Sequence, residues 1–386
     1  MSVARGPKTT EHQIRLAKSC LGEMEKQAVL GVLDREFLGM GAEVHEFEVI
    51  LTAFFERPAI CVVNGTAALH LALQACGISR GDEVLVPSFT FVASFQVIAA
   101  TGAIPVPCDI DPVTYTLDWE DASKRVTAAT RAVMPVHYAG GVGDLDGIYS
   151  MAHSYGLRGV EDAAHAFGTT TLGRRVGSFG DVACFSFDGI KNITCGEGGC
   201  VVSDDDEVLE QVRRYRSLGL LTERNADPTR GVLPKIDVRE QGWRYHMSNI
   251  MAAIGIQQFH RRGEFADKRR ELARAYDRLL GDFETVVSIP HDYEAVVPFM
   301  YAVRIDGDYD IPAVRARLHA DGIQTGAQYQ PNHNYTLFSG RDKPPLPVVT
   351  DLYKRLVVLP LHPDLEVEDV EYICERIGEA LSATRS

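Results

Sequence analysis

Several patterns are missing from this 386-residue chain, and each absence excludes a class of protein. The eight cysteines, Cys20, Cys61, Cys76, Cys108, Cys184, Cys195, Cys200 and Cys374, form no Cys-x-x-Cys pair, so no metal site and no dithiol redox motif is expected. Most sit in apolar runs and read as buried, reduced thiols. Positive charge is scarce: 39 Lys and Arg face 53 Asp and Glu, a formal net charge of -14. That balance argues against nucleic acid and against anionic membrane as partners. It leaves room for an anionic small molecule, which a few local Arg, Lys or backbone N–H groups can hold. The one uncharged run long enough to span a bilayer, Val84 to Cys108, is broken by Pro87, Gly102, Pro105 and Pro107. It reads as strand, loop, helix and strand. The first eight residues lack the apolar stretch of a signal peptide, so a cytoplasmic location is expected and the sequons at Asn64, Asn192 and Asn334 carry no glycosylation meaning. There is no internal repeat and no low-complexity tract.

What is present is an alternation of short apolar runs with helical periodicity. Apolar residues at helical spacing predict an amphipathic helix from about His12 to Leu33, outside the main sheet. Strands are expected at 60–63, 83–86, 104–108, 132–136, 157–161, 182–187 and 200–203. Helices are expected at 66–75, 91–100 and 145–155. Strands alternating with helices predict an α/β domain with a mostly parallel central sheet, whose ligands bind at the carboxyl ends of the strands. Beyond Phe259 the character changes. A charged helix over 261–280, a strand over 299–305, surface helices at 311–321 and 367–381, and a Pro-, His- and Asn-rich loop at 328–347 suggest a second, smaller domain. The length favours two domains, divided as 1–265 and 266–386.

Three elements of the first domain can serve one cofactor. Asn64-Gly65-Thr66-Ala67-Ala68 is a small-residue strand-to-helix turn, where helix N-terminal amides can approach a phosphate. Val160-Glu161-Asp162-Ala163-Ala164-His165 ends an apolar strand in carboxylates, and such a carboxylate can hold a protonated pyridine nitrogen. Ser186-Phe187-Asp188-Gly189-Ile190-Lys191-Asn192, with Glu197-Gly198-Gly199 behind it, puts a lysine in an irregular connection, where burial would expose the neutral amine that a Schiff base needs. Each also has a plain structural account: a tight turn, a helix N-cap and a surface charge. None decides the matter alone.

Together and in this order the three elements resemble the DegT/DnrJ/EryC1/StrS family of sugar aminotransferases, a branch of the fold-type I enzymes that use pyridoxal 5'-phosphate (PLP). The resemblance runs over nearly the whole length, through Phe47-Glu48, Pro87-Ser88-Phe89-Thr90-Phe91, Pro135-Val136-His137-Tyr138-Ala139-Gly140 and Leu359-Pro360-Leu361-His362-Pro363. Its most specific part is Glu161–His165 together with Lys191-Asn192-Ile193-Thr194-Cys195-Gly196-Glu197-Gly198-Gly199. The resemblance implies a fold-type I transferase with a large PLP domain and a small α+β C-terminal domain. It further implies that Lys191 carries PLP as a Schiff base, that Asp162 pairs with the ring nitrogen and that Phe91 stacks on the ring. Gly65, Thr66, Ala67 and Ser186 would surround the phosphate, and His165 would stand beside the ring hydroxyl. Gly242-Trp243-Arg244-Tyr245-His246-Met247 departs from the family run, which has Asn where Arg244 stands, and that Asn reaches the cofactor phosphate of a neighbouring subunit. Arg244 can serve the same phosphate or face the substrate.

The resemblance also implies a homodimer with shared active sites and transfer of an amino group from L-glutamate, released as 2-oxoglutarate, to a keto sugar on a nucleoside diphosphate. C4 of a 4-keto-6-deoxyhexose is the expected position. C3 amination or a 4-keto pentose stays open, and the enzymes acting on 4-keto-arabinose nucleotides share His165 and the Ile190–Cys195 run. Tyr329 and His333, in a segment near the family's sugar site, are expected to contact substrate. A 3-dehydratase of the same fold has His in place of the lysine, which Lys191 disfavours. A PLP-binding regulator or scaffold without enzymatic activity is the reading from another class, against which Asp162, Ser186 and Lys191 together argue.

Overall fold

A computed structural model describes residues 13–222, 236–339 and 345–385. Helices α1 (Glu23–Asp34) and α2 (Ala42–Phe55) lead into a chain of βα units: β1 (Ala59–Val62), α3 (Gly65–Ala75), β2 (Glu83–Pro87), α4 (Val92–Ala100), β3 (Ile104–Cys108), α5 (Trp119–Lys124), β4 (Thr130–Val133), α6 (Leu145–Tyr155) and β5 (Arg158–Asp162). After a two-residue hairpin pair, β6 (Thr170–Thr171) and β7 (Arg174–Arg175), come β8 (Val182–Ser186) and β9 (Gly199–Ser203). The strands assemble in the order β1-β9-β8-β5-β4-β2-β3. All neighbours from β8 to β3 pair in parallel, while β9 runs against both β1 and β8. The mostly parallel sheet expected from the alternation is therefore present.

The sheet is covered on both faces, which is why its strands read as continuous apolar runs. Ile60, Val62, Val182, Cys184 and Val201 join α3, α4 and α7 (Asp206–Tyr215) on one face. Ala59, Cys61, Ala183, Phe185 and Val202 join α2 and α8 (Asn249–His260) on the other. The period of two along each strand sorts these side chains. β3 is an edge strand, and its Pro105 and Pro107 are tolerated there because one side of an edge needs no ladder donor.

β10 (Leu220–Thr222) and β11 (Ile236–Val238) form a separate two-stranded ribbon. The C-terminal body then begins along α9 (Arg262–Leu280). It holds an antiparallel sheet of β12 (Val286–Ser288), β13 (Tyr301–Ile305) and β14 (Leu356–Leu359), with α10 (Ile311–Ala320), α11 (Pro347–Arg355) and α12 (Val367–Thr384). We propose the domain boundary near residue 265, because Phe265 packs in the cluster of α2 and α8 while Leu272, Tyr276 and Leu280 of the same helix pack with β13 and α12.

The expected helix from His12 to Leu33 is shorter than its periodicity suggests. His12 lies outside the described residues, and helix begins only at Glu23, where Glu25 accepts the Gly22 N–H at 2.8 Å. Ile14 instead forms a parallel bridge with Ile323, and the Leu16 carbonyl accepts from Leu361 N–H at 3.2 Å. Its apolar spacing serves the C-terminal body. The strand expected at 132–136 ends at Val133, and the loop expected at 328–347 contains a 3-10 turn at Asn332–Asn334, with residues 340–344 outside the described ones. The other expected elements stand within a few residues of their places. Among the described residues no helix is long and apolar enough to cross a membrane, and the cysteines are free thiols.

An aromatic cluster stabilises the face beneath α2: Phe55, fully buried, stacks on Phe185 at 4.7 Å and meets Phe167 edge-on at 6.0 Å. Phe55→Ala is expected to cost about 3–5 kcal/mol, read as a lowered urea midpoint with the unfolding slope unchanged.

Candidate active site

The carboxyl ends of β1, β2, β5 and β8 open at one edge of the sheet, and the site grows from the segments that leave those strand ends. After β1 the chain turns directly into α3. Asn64 caps that helix, its Oδ1 accepting the Ala67 N–H at 2.8 Å. The amides of Gly65 and Thr66 are left without an intrahelical acceptor, as first-turn amides are. Gly65 packs so tightly that a Cβ there would lie 2.7 Å from the Ser186 Cβ. The Ser186 hydroxyl and the positive end of α3 therefore stand side by side. Thr66 is exposed, and Ala67 is buried below it.

Between β8 and β9 the chain makes an irregular, pinned connection. Phe187 N–H donates to Gly198 O at 2.7 Å, Cys195 N–H to Phe187 O at 2.8 Å, and Asn192 Nδ2 to Phe167 O at 3.1 Å. Lys191 projects from it, its Nζ 4.3 Å from the centre of the Phe299 ring. Burial lowers its pKa to about 8, with Asp162 and Asp188 opposing the shift and Arg269 adding to it. The amine and the Asp162 carboxylate thus lie within electrostatic reach of one another, although the strand end and the loop that carry them are distant in sequence.

Asp162, buried at the end of β5, accepts from Ser94 Oγ at 2.8 Å and from Ala164 N–H at 3.2 Å. Ser94 comes from α4, and its hydroxyl lies 3.0 Å from the Thr90 hydroxyl. His165 is buried and stacks on Phe299 with ring centres 4.2 Å apart. Burial, with Lys191 and His137 nearby, holds His165 well below its usual pKa, so the ring is neutral. The hydroxyl of Tyr329 lies 3.2 Å from His165 Nε2, while Nδ1 has no partner in the protein. Phe91, the N-cap of α4, is 54% exposed and sits 5.6 Å from the Tyr329 ring.

Lys191, Asp162, His165, Ser186, the Gly65–Ala67 turn, Tyr329 and Phe91 are thus drawn to one end of the sheet. His333 is half-buried beside them, its Nδ1 2.7 Å from the Ser88 hydroxyl. Arg244 is placed differently. It lies on an extended segment that bridges Ser217, next to the Val62–His246 bridge, and among the described residues no hydrogen bond or ion pair holds its guanidinium. The sequence pattern did not reveal Ser94, Thr90 or Phe299. A buried-face serine in the mostly apolar Val92–Ala100 helix, whose other polar residue is Gln96, was a usable signal; Phe299, far along the chain, carried none.

These residues fit a flat, phosphorylated pyridine. The turn at Gly65 and Ser186 offers donors where a side chain at 65 would fill the space, Asp162 offers a fixed anion, and Lys191 offers an amine near neutrality. The orphaned Nδ1 of neutral His165 awaits a hydroxyl.

Comparison with known proteins agrees. The model of the DegT/DnrJ/EryC1/StrS aminotransferase family matches residues 19–378. Aminotransferase TlmJ from Streptoalloteichus hindustanus is 31% identical and superposes with a TM-score of 0.89 over 96% of this chain and 100% of its own. Helicobacter pylori PseC, an aminotransferase involved in pseudoaminic acid biosynthesis, is 26% identical with a TM-score of 0.89 over the same shares. Spr1654 from Streptococcus pneumoniae, in its PLP form, is 26% identical with a TM-score of 0.89 over 97% of this chain and 100% of that one.

A lowered amine pKa means that the neutral, reactive fraction of Lys191 grows as pH rises through about 8 rather than through 10.5. The cofactor-free enzyme should therefore capture added PLP at a rate half-maximal near pH 8, read from the absorbance rise at the edge of the visible.

Proposed function

The chain belongs to the DegT/DnrJ/EryC1/StrS aminotransferase family, and from that premise we propose that it carries an amino group from L-glutamate to C4 of a 4-keto-6-deoxyhexose bound to a nucleoside diphosphate. It is a PLP-dependent sugar aminotransferase. The observation that carries the residue-level reading is that the Lys191 amine, its pKa lowered to about 8, lies within electrostatic reach of the buried Asp162 carboxylate.

In this reading PLP supplies an electron sink for the carbanion formed at the carbon that loses or gains nitrogen. Asp162, oriented by Ser94, holds the ring nitrogen protonated. Ser186 and the Gly65–Ala67 amides fix the phosphate end, so that the ring cannot slide along the cavity. Phe91 covers one exposed side of the ring. His165, neutral and buried, accepts from or donates to the ring hydroxyl through Nδ1. With an amino donor in the site, Lys191 Nζ would take the proton from the donor Cα. In the second half it delivers a proton to the sugar carbon that becomes the amine-bearing carbon. General acid–base work of this kind contributes about two to four powers of ten. Tyr329 and His333 line the approach for the sugar, Tyr329 through its contact with His165 and His333 through its tie to Ser88.

A homodimer completes the reading. Met24, Leu30, Leu33, Phe37, Leu38 and Val49 leave large apolar groups exposed along α1, α2 and their connection. A second copy covering that face by a two-fold axis is the proposed dimer, and Arg244 is the proposed contact with the neighbouring site. Free thiols throughout support a reducing compartment, and the cytoplasm is the proposed location.

Three measurements test the proposal. With glutamate and a panel of nucleotide-linked 4-keto-6-deoxyhexoses, 3-keto sugars and 4-keto pentoses, 2-oxoglutarate should form fastest with a 4-keto-6-deoxyhexose; a faster 4-keto pentose would reassign the substrate. Lys191→Ala should lose both the visible-edge absorbance and turnover, and a coloured, active Lys191→Ala enzyme would refute the role of the lysine. Sedimentation at micromolar concentration should give twice the chain mass, and Phe37→Asp should shift it toward the single chain.

A further inference from the structure

Arg269 is a full cation in the interior with no acidic partner. It lies on α9, is 1% exposed, and its Nη1 donates to the carbonyls of Phe299 at 3.0 Å and Leu361 at 3.1 Å. Its Nε has no partner, and among the described residues no carboxylate lies within ion-pair distance. Interior guanidinium groups are normally paired, because desolvation is otherwise uncompensated. Here the charge is hydrogen-bonded to the backbone of the residue whose ring touches the reactive amine. Phe299 holds Lys191 Nζ at 4.3 Å and His165 at 4.2 Å, so fixing the Phe299 backbone fixes the wall against which both groups rest.

We propose that Arg269 is a positioning residue for Lys191, acting through its buried unpaired charge and through its hold on Phe299. This rests on the assignment of Lys191 as the PLP-bearing lysine and adds a residue that makes no contact with cofactor or substrate. The groups acting on the amine come from four places: Asp162 at the end of β5, Asp188 on the lysine's own loop, neutral His165 and Arg269 on α9. The two carboxylates favour the ammonium form; among the described residues Arg269 is the cation that opposes them. Burial is the larger effect and Arg269 adds to it, so without the guanidinium desolvation alone would oppose the two carboxylates. The two carbonyl contacts place that cation at a fixed depth, which a mobile surface arginine could not do.

The test uses cofactor-free enzyme and follows the rate of PLP capture against pH by absorbance, with thermal melting as the check on folding. Arg269→Gln keeps a donor and removes the charge. Its midpoint should move upward from about 8, toward the usual 10.5, and capture at neutral pH should slow by about threefold or more. Arg269→Lys, which keeps a cation, should restore part of that loss. A folded Arg269→Gln enzyme with an unmoved midpoint overturns the proposal. Should Arg269→Gln fail to fold, Arg269→Met decides, because it fills similar space without a charge. Its midpoint should also move upward from about 8. A folded Arg269→Met enzyme with an unmoved midpoint would then overturn the proposal. Lys191→Ala runs alongside: residual capture there would overturn the lysine assignment itself, a result distinct from either of the others.

Discussion

A lysine amine is a nucleophile only while it is uncharged, and water favours its charged form. The proposed chemistry depends on surroundings dry enough to lower the Lys191 pKa to about 8 yet polar enough to hold an anionic phosphate and a protonated ring nearby. Those demands conflict, and the fold separates them in space. In the proposed reading the phosphate end falls to the first turn of α3 and to Ser186, which pack against one another. The ring-nitrogen end falls to Asp162, which accepts from Ser94. The amine stands against Phe299 and is desolvated there.

The sheet topology makes this separation possible. Parallel strands deliver their carboxyl ends to one edge, so residues at positions 65, 94, 162 and 186 become neighbours although dozens of residues lie between them. The reversal of β9 is equally necessary. Because β8 and β9 are antiparallel neighbours, the connection carrying Lys191 leaves and re-enters the sheet at that same edge, cross-tied by Phe187 and Gly198. A helical crossover would have carried the lysine to the opposite end. Such convergence is also costly: Gly65 has no room for a side chain.

Much of the fold was legible in the sequence because buried parallel strands leave an unmistakable trace, as in Glu83–Pro87 and Val182–Ser186. Pattern failed where an apolar residue served a distant element. Ile14 lies on a helical period with its neighbours in sequence, but its partner is Ile323, and no local rule can register that pairing. The site divides in the same way. Asp162 and Lys191 lie in motifs, since short-range backbone geometry presents them. Phe299 and Arg269 are an ordinary aromatic and an ordinary helix arginine until the chain folds; their meaning is wholly tertiary. Arg244 was visible as a departure from its motif; within one chain it stands on an extended segment beside Ser217, next to the Tyr245 carbonyl that accepts from Val63 N–H just before the Gly65 turn.

The segment before α1 has a mechanical side. Ile14 and Leu16 are stitched to the C-terminal body, and three residues later the Ser19 hydroxyl grips the carbonyl of Gly189, two positions before Lys191. A few residues thus splice the small body to the lysine loop by a route that bypasses the central sheet. Any hinging of one part against the other would tug on this strap, so the leading stretch of the polypeptide works as a tendon rather than a loose tail.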